Sequence, residues 1–108
     1  MALLTVQQIG QSGLAPVFVA AGGSGDTFPN NGRTYLHVKN ASASAVTVTV
    51  DSIALCNYGF DHNLTVSVPA SGERIIGTFE PTRFNNDTSI ASVTYSAAAS
   101  VTVAAITF

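Results

Sequence analysis

From residue 45 to residue 50 the chain reads Ala-Val-Thr-Val-Thr-Val. Strict alternation of this kind has a period of two. Only an extended strand puts Val46, Val48 and Val50 on one face and Thr47 and Thr49 on the other. The pattern recurs at 64–68, where Leu64, Val66 and Val68 oppose Thr65 and Ser67. It recurs again at 34–39, where Leu36 and Val38 alternate with Tyr35, His37 and Lys39. Half-buried antiparallel strands carry this signature.

Further strands are expected at 3–6, 15–21, 74–79, 89–95 and 100–108. Turn signals separate them: Gly22 to Asp26, Pro29 to Gly32, Asn40 to Ser42, Pro69 to Gly72 and Asn85 to Asp87. Asn31-Gly32 supplies the positive φ a tight corner needs. No window supports a long amphipathic helix, and the Ser96 to Ser100 stretch is too short to be one. About eight short strands at this spacing predict one all-β antiparallel sandwich, with jelly-roll and immunoglobulin-like topologies both open. Residues 1–13 are expected as an N-terminal arm and 14–108 as the sandwich domain.

Charge is scarce. Asp, Glu, Lys and Arg make up 9% of the chain, against about 25% in ordinary domains. The surface must be covered largely by the 11 Ser, 12 Thr and 15 Ala. Charge depletion marks the cores of protein interfaces, so packing against other protein is expected. Arg33, Lys39, Arg74 and Arg83 are scattered and the net charge is −2. That pattern does not suit a phosphate backbone, and no nucleic-acid partner is expected. No run of apolar residues approaches a membrane-spanning helix, and no membrane partner is expected. The N-terminus lacks a positive region, and Gln7 and Gln8 break its apolar run, so folding in a cytoplasm is expected. The lone Cys56 allows no internal disulfide and reads as a small buried hydrophobe.

Catalytic patterns are missing. His37 sits on the polar face of a strand, and His62 lies in a loop beside Asp61. Neither has a nucleophile or an orienting partner at a recognisable spacing. Asp61-His62-Asn63 matches no metal-ligand spacing, and no metal or cofactor is expected. Glu73 and Glu80 are seven residues apart, which puts them on opposite faces of a strand and makes them poor acid–base partners. Gly22-Gly23-Ser24-Gly25-Asp26 lacks the lysine of a phosphate loop and reads as a flexible loop. Tyr58 and Phe60 would be costly in a solvated loop, so they are expected to cap one end of the sandwich or to touch a neighbour.

Four segments together carry a resemblance. They are "FPNNGRTYLHVKN", the Thr/Val strand after it, "LTVSVPASGERIIGTFEPTRFNND" and "SIASVTYSAAASVTVAAITF". Over about residues 27 to 108 the chain resembles the small β-sandwich capsid decoration (cement) and head structural proteins of tailed bacteriophages. The most specific element is Val68-Pro69-Ala70-Ser71-Gly72-Glu73-Arg74, leading to Ile76-Gly77-Thr78-Phe79. The family usually shows Gly-Pro-Phe at this last place. The resemblance implies a structural role on the virion surface, with the major capsid protein as partner and a homo-oligomer, a trimer, as the expected unit. It brings no active-site residue and no enzymatic activity. Head–tail joining, a tail role and carbohydrate binding are the alternatives. Candidate interaction residues are Leu3, Leu4 and Val6 of the arm, Tyr35 and His37 on the strand, and Tyr58 and Phe60 in the loop.

Overall fold

The computed structural model describes residues 2–52, 63–86 and 88–108. Two β-sheets face each other across an apolar core. The first runs in the order β1 (Ala2–Leu3), β4 (Asp26–Pro29), β9 (Ile90–Tyr95), β6 (Val46–Val50) and β7 (Leu64–Val68). The second runs β2 (Val6–Gln8), β10 (Val101–Thr107), β5 (Thr34–Asn40) and β8 (Gly72–Ile76), with β3 (Val19–Ala20) also beside β10. All pairings are antiparallel except β1 with β4 and β2 with β10. The all-β antiparallel sandwich expected from the alternation is therefore the fold.

The inward residues are those the alternation marks. β5 and β10 pair in register from Thr34↔Thr107 to Asn40↔Val101. This sets Leu36, Val38, Val103 and Val101 facing the first sheet, where Val46, Val48, Val50 and Val93 are equally buried. Each such side chain contributes roughly 1.5–3 kcal/mol by leaving water. On β10 the alternation stops at Ala104-Ala105-Ile106, and all three are buried. A strand covered on both faces reads as a continuous apolar run. Phe28, Phe79 and Phe84 close one end of the core, with centroids 5.4 Å apart for Phe28–Phe79 and 5.6 Å for Phe79–Phe84. Phe84 is delivered by the single helical turn α1 (Pro81–Phe84), whose Pro81 suits a first helical position.

Buried asparagines fasten the corners. Asn30 donates to Phe79 O and Asn85 Oδ1, while its own Oδ1 accepts from Gly32 N–H. Gly32 has φ +87, the left-handed geometry that the Asn31-Gly32 pair predicts. At the other end of β5, the Asn40 amide donates to Ser44 O at 2.8 Å and to Val68 O and Pro69 O at 3.3 Å.

The elements depart from expectation in several places. Within the stretch expected as an N-terminal arm, residues 2–8 join the sheets. They add β1 to the first sheet and β2 to the second, and the chain crosses between sheets at Leu4-Thr5. The run at 15–21 keeps only two strand residues, β3. The Gln7 side chain bonds both backbone groups of Val17 in place of a neighbouring strand. β4 arises where punctuation was read, because Gly25 precedes it and Pro29 sits at its last position, where no further ladder donor is needed. β8 starts two residues before the expected 74 and ends at Ile76, before Gly77.

Candidate functional site

The outward face of β5 carries the chemistry-bearing residues of the second sheet. His37 and Lys39 point away from the core because Leu36 and Val38 point into it. Phe18 lies over them. Its ring meets the His37 ring edge-on at 5.0 Å, and the Lys39 ammonium stands 4.2 Å from its centroid. From β8, Glu73 brings Oε2 to 3.3 Å from His37 Nε2. The approach lacks hydrogen-bond alignment, and the buried Nε2 has no hydrogen-bond partner. Sequence spacing gave His37 no partner. The register supplies one, since Lys39 faces Glu73 and His37 faces Ile75 across β5 and β8. The group clamps Phe18 onto the sheet. Among the described residues no three His, Cys, Asp or Glu side chains converge as metal ligands.

The other cations are also committed. Arg33 stands over the Phe108 ring, Arg83 over Phe84, and Arg74 donates to Glu73 O at 2.7 Å. Such contacts hold charge against the protein's own surface.

A second surface opens where the chain crosses between sheets. A cavity of about 490 Å³ lies between β2 and β3, with Ala104 of β10 among its lining residues. Leu3, Val17 and Val19 line it and are 63%, 67% and 47% exposed. Ordinary proteins expose single apolar residues, and a cluster around a hollow is the informative case. The Gln7–Val17 bonds, 2.9 and 2.8 Å, hold its two sides together.

Asp26 also lines this cavity and is 1% exposed. Its Oδ2 accepts from Gly22 N–H at 3.0 Å and from the Tyr95 hydroxyl at 2.9 Å. Burial first, then the hydrogen bond to Asp26 and its charge, push the Tyr95 phenol well above its ordinary value. The glycine-rich run read as a flexible loop is therefore a tight turn. A Cβ on Gly22 would stand 2.6 Å from Gly25 O and 2.7 Å from Asp26 Oδ1. No single-sequence signal links Asp26 to Tyr95, because only the pairing of β4 with β9 brings them together.

The expected interaction residues separate. Leu3 is exposed on the cavity rim. Leu4 is buried in the core and also lines the floor of the cavity. It turns inward at the crossing, where its N–H donates to Thr27 O at 2.7 Å. Val6 is half-buried and packs against the core. Tyr35 and His37 are half-buried on the outer side of the second sheet. Tyr58 and Phe60, with Cys56, Asp61 and His62, lie outside the described residues. No family model matches the chain, and comparisons with curated proteins and with solved structures return no significant match.

Proposed function

We propose that this chain is a structural, protein-binding module without enzymatic activity. In its most specific form it is a decoration protein on the outer surface of a tailed-phage capsid, with the major capsid protein as partner and a trimer as its own assembled unit. The observation that carries the reading is the exposed trio Leu3, Val17 and Val19 around an apolar hollow, on a chain with only 9% charged residues. The resemblance read from the sequence of residues 27–108 is the reason a phage shell is proposed as the partner. A specific interface takes roughly 800 Å² from each partner. The chain exposes 5985 Å², so it has room for such contacts, and many copies on one shell turn modest contacts into firm attachment.

Co-sedimentation with assembled shells tests this, alongside the solution mass by light scattering. The wild type should pellet with shells, and L3S/V17S should remain in the supernatant with its circular dichroism unchanged. A folded wild type that never pellets with shells would remove the decoration reading. Its copy number per particle separates decoration of the whole shell from a place at the head–tail joint.

A further inference from the structure

The cavity by β3 combines two features that rarely coincide. Its rim is largely apolar, with Thr5 and Gln7 as the polar exceptions, and yet one of its lining residues is a buried carboxylate. Asp26 is 1% exposed, and a buried charge needs donors or a counter-charge. Both of its hydrogen bonds, from Gly22 N–H and from Tyr95 OH, end on Oδ2. Oδ1 takes none from the described residues, and no cation among them pairs with Asp26. The volume, about 490 Å³, falls within the roughly 300–1,000 Å³ of ligand sites. The two Gln7–Val17 bonds preform the opening.

We propose that this cavity receives a lysine side chain of a partner protein, with the methylene stem against Leu3, Val17 and Val19 and the ammonium at Asp26 Oδ1. A lysine side chain joins an apolar stem to a charged tip, which matches an apolar rim over an acid. Arginine fits less well. Its planar fork gains most from two carboxylate oxygens at once, and Oδ2 already serves two donors. A neutral apolar side chain would fill the rim and leave Oδ1 unpaired. The protein's own single lysine, Lys39, is held over the Phe18 ring.

The inference rests on the reading of the chain as a protein-binding module, and it can be tested without a shell. The isotope-labelled full chain is titrated with N-acetyl-lysine-N-methylamide, with the norleucine analogue and with butylammonium, following amide signals by NMR. The lysine compound should give saturable shifts at Val17, Gly22, Asp26 and Ala104. It should bind at least roughly tenfold more tightly than norleucine, the size of one charge-assisted hydrogen bond. Equal binding of the two, or no binding, overturns the proposal. Binding of butylammonium alone also overturns it, since the site would then serve a small amine. D26N should abolish the preference for lysine. Where D26N fails to fold, V19F decides, because Val19 is half-exposed on the rim and its enlargement should block entry while the fold persists. Unchanged affinity in V19F overturns the proposal. Shells that pellet wild type and folded D26N equally would refute the lysine site and leave the shell-binding reading intact.

Discussion

Replacing Tyr95 by Phe removes one hydroxyl and leaves the ring. The hydroxyl donates to the buried Asp26 carboxylate at 2.9 Å. A hydrogen bond to a charged group contributes about 1.5–3 kcal/mol, so at pH 7 Y95F should be less stable by about 2 kcal/mol. The difference should then depend on pH. In the folded protein the phenol keeps its proton well above the ordinary value of 10.0, through burial and then Asp26. The unfolded chain releases that proton near the ordinary value. Above it the unfolded state binds fewer protons, so stability falls as pH rises. The slope reaches about 1.4 kcal/mol per pH unit. The contribution of Tyr95 is complete below pH 10 and is lost above it, and Y95F has nothing there to lose. Other groups that titrate in this range are common to both proteins and cancel in the comparison. The advantage of wild type over Y95F should therefore shrink as pH rises above 10. Urea unfolding by circular dichroism at pH 7, 9, 10, 11 and 12, wild type against Y95F, measures this. A gap that stays constant from pH 9 upward would refute the account of the Asp26–Tyr95 pair.

Asn40→Ala removes an amide donor to three carbonyls and an acceptor of two bonds from Ser42. At about 1 kcal/mol for each effective bond, N40A should cost about 2–4 kcal/mol in urea unfolding. N40D, which aims an oxygen at those carbonyls, should cost more, and an N40D as stable as N40A would contradict this geometry. Gly22→Ala places a Cβ 2.6 Å from Gly25 O and should cost about 1–3 kcal/mol as overpacking does. Gly23→Ala meets nothing within 4 Å and should stay within about 0.5 kcal/mol of wild type. Equal melting temperatures for the two variants would remove the tight-turn account.

Much of the core was legible because alternation is a local property. Leu36, Val38, Val46, Val48, Val50, Val101 and Val103 follow from parity alone once a strand is recognised, and all are buried. The site was largely illegible because it is made by register. Asp26 meets Tyr95 because β4 lies beside β9, and Glu73 meets His37 because β8 lies beside β5. No spacing along the chain encodes either neighbour. Leu3 and Leu4 show the limit of reading by residue type. They are identical in chemistry and adjacent in sequence, yet the crossing between sheets sends Leu4 into the core and leaves Leu3 on the rim. β4 was hidden for another reason: Gly25 before it and Pro29 inside it are turn residues by propensity, and tertiary pairing with β9 prevails over propensity.

The distribution of charge connects these observations to function. The chain has four Lys and Arg. Three stand over aromatic rings and the fourth binds a backbone oxygen. These contacts hold the cations against the protein's own surface. Of the described acids, Asp26 is the one that combines burial with an apolar rim. Burial lowers the local dielectric and makes each charge contact count for more than at the open surface. An exposed carboxylate such as Glu73 is screened by salt, whereas a contact at Asp26 is screened much less. The lysine preference of the cavity should thus persist at high salt, and shell binding carried by the same surface should show the same weak salt dependence.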